Sequence, residues 1–409
     1  MSDEQACWQG IPGGVTAAQG FRAAATRCGI KQAEVDDLGL LVCDVQGTAA
    51  ATFTRNRVTA APVRWSREVV ARGGVRAAMV NSGNANACTG ERGLRDVQTT
   101  AQAAADALGL VPDNLLVAST GIIGHFLPVD KLLAGIPVAA QQLDSSLEAG
   151  DRFARAIMTT DTVVKQHALR CDLGAGHVVL GGTTKGAGMI APNMATTLSF
   201  LTTDAIIERP LLQEMLCRAI ELTYNRITID NHASTNDTCV ILASGLADAP
   251  AIEAGTEAAA RFEAALAELC GVLARKIVED GEGATRLVQI DVVGALTVAD
   301  ALAVARAIAD SPLCKTALHS GDPNWGRFVS AGGNACPSLD ETKATFQVGD
   351  VVAYAGGMAA DALPEALAEA MAGRTVRLRY DLGLGEASAT VWTCDLSKDY
   401  ITINADYHT

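Results

Sequence analysis

The chain lacks the features that would place it in a membrane or in a secreted scaffold. It contains no run of about 18 consecutive apolar residues, so no transmembrane helix is expected. Its first five residues, Met1–Gln5, are acidic and carry no apolar signal-peptide region. Aromatic residues make up only 4% of the 409 residues, whereas 49% are apolar, so we expect a large core of small side chains.

Paired cysteine spacing and an excess of basic residues are also absent. The eleven cysteines form an odd number without a CxxC pair, which indicates reduced thiols in a cytoplasmic protein. The 46 acidic residues exceed the 32 basic ones and give a net charge of −14. A chain of this charge repels phosphate backbones and anionic lipids, so neither nucleic acid nor a membrane is an expected partner.

Metal and phosphate signatures are missing as well. The six histidines show no HExxH or paired ligand spacing, so we predict no metal. The stretch Asn81–Gly90 is rich in small polar residues but lacks the Lys-Ser/Thr of a P-loop. We interpret it as a structural loop near the site, and we predict no resident cofactor.

Strand-like and helix-like patterns alternate through both halves, which indicates an α/β or α+β class. The predicted strands are Leu38–Val45, Thr48–Thr54, Val75–Asn81, Asn114–Ser119, Val178–Thr183, Thr196–Leu201, Thr238–Ala243, Leu287–Val293, Thr375–Tyr380 and Ala389–Cys394. The predicted helices are Leu94–Leu108, Leu211–Asn225, Glu257–Val278, Val298–Ala309 and Pro364–Ala372. No linker-type composition interrupts the middle of the chain.

The most informative segment is Lys185–Phe200, in which a glycine-rich stretch leads to the dipeptide Ala195-Thr196. A threonine after a small residue can attack the preceding carbonyl and cut the chain. The freed α-amine, with a reference pKa of about 7.7–8.0, can then serve as base for its own hydroxyl. On composition alone, a glycine-rich turn that enters an ordinary strand is the more common explanation.

The full string Lys-Gly-Ala-Gly-Met-Ile-Ala-Pro-Asn-Met-Ala-Thr closely resembles the self-cleavage segment of the ornithine acetyltransferase (glutamate N-acetyltransferase) family of arginine biosynthesis. Seven further segments resemble that family in the same order. They are Asn81–Gly90, Ser119–Gly124, Met158–Thr162, Ser234–Thr238, Asp280–Thr285, Asp322–Arg327 and Ile403–Thr409. Eight ordered matches are far more specific than any single one.

The resemblance implies an α+β fold with layered β-sheets sandwiched between helices. It implies cleavage of the Ala195–Thr196 bond into an α chain, 1–195, and a β chain, 196–409, which stay interleaved in one body. The αβ pairs of this family assemble further, so we expect a heterotetramer. The implied reaction is a ping-pong transfer of acetyl from N2-acetylornithine through Thr196 to glutamate, with acetyl-CoA left open as a co-substrate.

The resemblance also assigns roles to individual residues. The Thr120-Gly121 pair follows a predicted strand and is implied to form the oxyanion hole, where one donor typically contributes a factor of ~10²–10³ in rate. Taken alone, this pair would be interpreted as a capped turn. The implied substrate-binding residues are Thr159, Lys185, Thr196, Glu282, Asn404 and Thr409.

Physical reasons support some of these assignments. A lysine beside the nucleophile can hold the α-carboxylate that both amino acids share, although a lone loop lysine is more often solvated. Glu282 can pair with the δ-ammonium of ornithine or assist proton transfer, and the sequence does not separate these roles. Tyr400–Asn404 alternates like a strand, which would anchor the chain end at the site.

Some residues depart from the family pattern, and some alternatives stay open. Thr197 stands where Met is usual, Val164 where Pro is usual, and the stretch 230–233 where a Gly-Asp pair is usual. The alternative functions are a related self-processing amidohydrolase, with water as acceptor, and a non-catalytic paralogue. The general base is either the amine of Thr196 or a carboxylate such as Glu282.

Overall fold

Two β-sheets face each other in the larger part of the molecule, and a third sheet forms a layer with its own helices. The computed structural model describes residues 6–191 and 197–406. The strands are β1 (Trp8–Ile11), β2 (Phe21–Thr26), β3 (Leu38–Cys43), β4 (Thr48–Phe53), β5 (Ala77–Asn84), β6 (Leu115–Ile122), β7 (Lys165–Asp172), β8 (His177–Lys185), β9 (Leu198–Thr203), β10 (Thr238–Ala243), β11 (Leu287–Ala295), β12 (Thr345–Val348), β13 (Val351–Ala355), β14 (Met358–Ala359), β15 (Thr375–Asp381) and β16 (Ala387–Cys394).

The helices lie mainly on the outer faces of the sheets. They are α1 (Ala61–Arg72), α2 (Gly90–Leu108), α3 (Val129–Gln141), α4 (Leu147–Ala156), α5 (Arg209–Leu222), α6 (Glu257–Glu279), α7 (Val298–Ala309), α8 (Pro312–Ser320), α9 (Trp325–Asn334), α10 (Pro364–Ala372) and α11 (Lys398–Asp406). The prediction of an α+β fold with layered sheets between helices is confirmed.

The first sheet has six strands in the order β1-β7-β8-β9-β10-β4, and the second has four in the order β2-β3-β5-β6. Their inner faces share one core that includes Phe21 and Val80 from the second sheet and Phe200 and Val240 from the first. In the first sheet, strands from before residue 192 flank β9 and β10, which come after residue 196. The sheet is therefore built from both halves of the chain.

Helices cover the outer face of each sheet. On the first sheet, α5 and α6 bury Leu212 and Phe262 in a continuous apolar layer. On the second, α2 and α3 bury Val97 and Ile136 against Leu38. The result is a four-layer helix–sheet–sheet–helix arrangement, in which each sheet has both faces covered.

The helix that ends at the candidate site, α6, begins and ends for clear local reasons. The Thr256 hydroxyl accepts a hydrogen bond from the Ala259 N–H and caps the first turn. Apolar residues at helical spacing, such as Leu266 and Leu273, then bury one face. Because α6 is anchored along this face, the loop after Glu279 begins from a fixed point.

The third sheet has the order β14-β13-β12-β15-β11-β16 and is covered by α7 to α10. Its core contains a row of three aromatic rings: Phe328 stacks on Phe346, and Tyr380 meets Phe346 edge to face, each pair with centroids 5.7 Å apart. Strand β16 leads from this sheet to α11, which returns to the candidate site. The prediction of a strand at Tyr400–Asn404 is therefore wrong.

That segment is helical because local hydrogen bonds favour a helix. The Ser397 hydroxyl accepts from the Tyr400 N–H at 3.3 Å, and the Asn404 side chain donates to the Tyr400 carbonyl at 3.0 Å. The alternation of Ile401 and Ile403 with polar residues does not reflect burial, because Ile401 is 63% exposed. Among residues 6–191 and 197–406, no helix is both long and apolar enough to cross a membrane.

The contact between Phe153 of α4 and Phe200 of β9 joins the two halves of the chain across the sandwich core. Their rings lie edge to face with centroids 5.4 Å apart, and both side chains are buried. We expect Phe200→Ala to lower the free energy of unfolding by about 3–5 kcal/mol, because it leaves a cavity. Phe126→Ala, at a ring that is 55% exposed, is the control, and we expect it to cost less than about 1 kcal/mol. Urea titration of both variants measures the difference, and equal losses would contradict the prediction.

Candidate active site

One pocket of about 210 Å³ lies where strands from both facing sheets end. Strand β6 and strand β8 reach it with their C-terminal ends, and β9 and β10 start from it. The loop after α6 and the helix α11 close its other sides. With Ala85 after β5 and Thr159 before β7, the pocket is lined by eight separate segments of the chain.

The structure brings six of the sequence-predicted residues to this pocket. They are Thr120, Gly121, Thr159, Lys185, Glu282 and Asn404. The other three, Ala195, Thr196 and Thr409, lie outside the described residues. Thr197, the residue that follows the predicted nucleophile, lines the same pocket.

The Thr120-Gly121 pair lies where the parallel pairing of β5 and β6 is interrupted by a bulge at Gly83–Asn84. Gly121 has a φ of 128°, and a β-carbon there would stand 2.4 Å from the backbone carbon of Gly83. Only glycine fits this position. Thr120 and Gly121 both line the pocket at this close approach of the two strands.

An amide side chain that the sequence reasoning missed connects this pair to the other sheet. Asn236 Nδ2 donates to the carbonyl of Ala85 at 2.6 Å and to that of Ser119 at 2.9 Å. Ser119 immediately precedes Thr120, so Asn236 fixes the end of β6 relative to the start of β10. The motif Ser234–Thr238 contains this asparagine, but the sequence did not indicate which groups its side chain would contact.

Lys185 ends β8 and lines the pocket with its side chain half-buried. Burial lowers the pKa of its ammonium, and the neighbouring Asp161 and Asp237 oppose this effect. Among the ion pairs of the described residues, none involves Lys185, whose neighbour Lys165 holds two carboxylates directly. An ammonium that faces a pocket without a carboxylate in contact can bind an anionic group of a ligand.

Lys165 forms a fully buried ion cluster beneath the pocket. Its Nζ lies 2.6 Å from Asp161 and 2.5 Å from Asp280. Asp161 also accepts the N–H of Thr159 at 2.9 Å and that of Gly186 at 2.7 Å. One carboxylate therefore holds two segments of the pocket wall in place.

Burial alone would raise the pKa of Asp161, but the ammonium groups of Lys165 and Lys185 outweigh it and lower the pKa below its ordinary value. Asp237 shows the opposite behaviour. It lines the pocket, and burial raises its pKa well above the usual range, although Lys185 opposes this. Two carboxyl groups near one lysine therefore have their pKa values pushed apart.

Glu282 and Asn404 are contributed to the pocket by the loop after α6 and by α11. Asn404 Nδ2 donates to a carboxylate oxygen of Glu282 at 2.8 Å. The Glu282 N–H donates to the carbonyl of Ala187 at 2.8 Å, which joins the loop after α6 to the segment after β8. A β-carbon at Gly188 would stand 2.5 Å from the Glu282 carboxylate, so the glycine lets the carboxylate lie against the backbone.

The departures from the family pattern have structural counterparts. Thr197 is buried, and its hydroxyl lies 2.9 Å from the Ser199 hydroxyl. The Ser199 hydroxyl in turn lies 2.6 Å from the Thr184 hydroxyl. Asn231 has a φ of 55°, in the left-handed region that glycine and asparagine adopt most readily. Asn231 therefore lets the stretch 230–233 contain a left-handed turn. Nothing in the structure explains Val164.

The comparisons with known proteins agree with one another. The profile described as "ArgJ family" matches residues 22–409. The "Arginine biosynthesis bifunctional protein ArgJ" of Symbiobacterium thermophilum is 44% identical over 98% of this chain and 99% of its own length. The protein of the same name from Thermosynechococcus vestitus is 41% identical over 98% of this chain and 99% of its own length. A crystal-structure chain of ornithine acetyltransferase complexed with ornithine, from Mycobacterium tuberculosis, is 45% identical over 46% of this chain and all of its own length, with a TM-score of 0.44.

The lowered pKa of Asp161 predicts a pH-dependent contribution to stability. Such a carboxylate stabilises the folded state above its unfolded-state pKa of about 3.9, and the contribution is lost as the pH falls through the lower folded-state pKa. We expect Asp161→Asn to cost about 3–5 kcal/mol at pH 7, because it breaks a buried ion cluster, and clearly less at pH 2.5. Guanidinium titrations at both pH values measure this, with the exposed Asp248→Asn as the control. A loss that is the same at both pH values would contradict the prediction.

Proposed function

Because the chain belongs to the ArgJ family, we propose that it transfers the acetyl group of N2-acetylornithine to glutamate and releases ornithine and N-acetylglutamate. The observation that carries this proposal is the pairing of opposite charges in one pocket. Lys185 presents an ammonium that forms no ion pair within residues 6–191 and 197–406, and Glu282 presents a carboxylate from the other half of the chain. Such a pocket fits an amino acid with charged groups at both ends.

In this proposal Lys185 binds the α-carboxylate that the donor and the acceptor share. Glu282 binds the δ-ammonium of ornithine, and Asn404 orients the Glu282 carboxylate through their hydrogen bond. Thr159, whose N–H is held by Asp161, lines the pocket beside Lys185 and supplies a further polar contact. Thr409, the last residue, is assigned to the same substrate on the family resemblance alone.

The enzyme first cuts its own chain. The Thr196 hydroxyl oxygen attacks the Ala195 carbonyl carbon, the peptide C–N bond breaks, and the hydroxyl proton moves to the released amine. Water then hydrolyses the ester, giving the Ala195 carboxylate and restoring the Thr196 hydroxyl. The fragments 1–195 and 196–409 stay associated, and two such pairs form a heterotetramer. The strand order of the first sheet supports the association of the two fragments, because β9 and β10 of the second lie between β8 and β4 of the first.

The transfer itself uses the same hydroxyl. Thr196 attacks the acetyl carbonyl, the amide C–N bond breaks, and the leaving amine of ornithine takes a proton. The amine of glutamate then attacks the acetyl ester and regenerates the hydroxyl. The backbone N–H of Gly121 and the hydroxyl of Thr120 stabilise the oxyanion in both steps.

We assign the general base to the freed amine of Thr196. Glu282 is already engaged by Asn404 and is the proposed partner of the δ-ammonium, so it acts mainly in binding. Acetyl-CoA is included as a second donor, because attack of Thr196 on its thioester would give the same acetyl ester and release a thiol, which leaves more readily than an amine. No resident cofactor is required by this chemistry, and a cytoplasmic site of action suits a biosynthetic enzyme with free thiols.

Intact mass spectrometry of the purified protein tests the proposed function directly. We expect two fragments, the second beginning at Thr196. With N2-acetylornithine but no glutamate, we expect at most one equivalent of ornithine per active site, from formation of the acetyl ester, and continued release only when glutamate is present. Thr196→Ala should remain one chain and should not transfer acetyl. A wild-type protein that stays whole yet transfers acetyl would exclude the freed amine as base. Continued ornithine release without glutamate would instead favour the amidohydrolase.

The role of Lys185 predicts a parallel effect on both substrates. We expect Lys185→Ala to raise the KM for N2-acetylornithine and for glutamate by about 10–100-fold each, because a charge-assisted hydrogen bond contributes about 1.5–3 kcal/mol. Lys131→Ala, at an exposed lysine of α3, is the matched control. Steady-state kinetics with each substrate varied in turn give both constants. Unchanged KM values for both substrates would contradict the shared-carboxylate role.

A further inference from the structure

The segment between β8 and the proposed cleavage point is held by hydrogen bonds from three separate parts of the chain. Gly186 N–H donates to Asp161, and the Ala187 carbonyl accepts from the Glu282 N–H. Met189 and Ile190 are held by the carboxylate of Asp230, which has no place in the proposed reaction. This carboxylate follows directly after the buried Ile229.

Asp230 holds its two residues in a bidentate manner. Oδ2 accepts the Met189 N–H at 2.6 Å, and Oδ1 accepts the Ile190 N–H at 2.8 Å. The backbone adds a third bond, because the Ile229 N–H donates to the Ile190 carbonyl at 2.7 Å. Three hydrogen bonds therefore fix the chain immediately before the residues that lead to Ala195.

The turn that Asp230 holds is a strained one. Met189 has a φ of 57°, a left-handed conformation that costs a residue with a β-carbon about 1–2 kcal/mol. Hydrogen bonds to an ionised carboxylate are roughly twice as strong as neutral ones, so the two bonds from Asp230 can offset this cost. Without them, the backbone at Met189 is expected to relax toward a right-handed or extended conformation.

The turn also forms part of the pocket wall, to which Gly188 and Met189 both contribute. The proposed scissile bond begins five residues after Ile190. A turn that is fixed at Met189 and Ile190 therefore restricts the conformations open to the segment that carries this bond.

We propose that Asp230 is a positioning residue for self-cleavage: by holding the Met189 turn, it aims the chain so that the Ala195 carbonyl is presented to Thr196. This inference rests on the proposed function, because it assumes cleavage at the Ala195–Thr196 bond. Asp230 acts through the backbone of Met189 and Ile190, whose N–H groups it accepts. After cleavage, the same bonds hold Met189 of the first fragment at the pocket wall.

The test compares the rate of cleavage in Asp230→Asn and Asp230→Ala with that of the wild type. Each chain is made by cell-free synthesis, synthesis is stopped, and the fraction cut is followed over time by intact mass. We expect Asp230→Ala to cleave about 10–100-fold more slowly, as loss of charge-assisted bonds worth about 1.5–3 kcal/mol implies. Asp230→Asn keeps one acceptor oxygen and should fall between the two, so partial rescue by the amide is part of the expected result.

A matched control separates positioning from general destabilisation. Asp204 also accepts two backbone N–H groups, those of Val179 at 2.8 Å and Gln19 at 3.5 Å, but it follows the far end of β9, away from the pocket. Asp204→Asn should cleave at the wild-type rate. Thermal unfolding of each aspartate variant in the uncleaved Thr196→Ala background gives the stability of the precursors.

The outcomes are distinct. Slow cleavage in both Asp230 variants, with wild-type cleavage in Asp204→Asn at a comparable loss of stability, supports the proposal. Wild-type rates in both Asp230 variants overturn it while leaving the proposed function intact, since the wild type still cuts itself. Equal slowing in Asp204→Asn overturns it in favour of a purely structural role. A wild-type chain that never cuts itself removes the proposed function and this inference together.

Discussion

The buried contact of Lys165 with Asp161 and Asp280 is the interaction on which the candidate site depends. All three side chains are almost or fully inaccessible to water, so their charges are compensated mainly by one another. Removing one partner from such a cluster leaves a buried charge without compensation, which is far more costly than losing a surface ion pair. The cluster also joins the start of β7, the loop that carries Thr159 and the end of α6. The pocket keeps its shape because these three segments cannot separate without exposing the charges.

The layered fold explains why this cluster can exist at the end of two sheets. Both faces of the first sheet are covered, by the second sheet on one side and by α5 and α6 on the other. The ends of the strands are therefore largely buried, and the polar groups there must form hydrogen bonds within the protein. Asn236 is an example, since its amide bridges the two sheets through the carbonyls of Ala85 and Ser119. The small side chains of the core allow the strands to approach closely enough for such bridges.

The sequence predicted the class of the fold and six of the residues that line the pocket, because these six stand in short, ordered motifs. Thr120, Lys185 and Glu282 are examples, and each lies at the end of an element whose type the pattern also indicated. The sequence did not predict Asp161, Asp230 or Asn236 as partners of backbone groups. Their contacts join segments far apart in the chain, and periodicity carries no information on such pairs. Tyr400–Asn404 was interpreted wrongly for a related reason, since apolar alternation resembles a strand whether or not a sheet edge is available.

The order of strands in the first sheet has a consequence for how the molecule can form. Strand β10 is hydrogen-bonded to β9 on one side and to β4 on the other, and β9 is bonded in turn to β8. If either half of the chain were synthesised alone, it would expose unpaired strand edges and the apolar face that the other half covers. The two halves must therefore fold in a single event. A chain that is encoded as one piece and divided only after folding avoids the need for two such halves to find each other by diffusion.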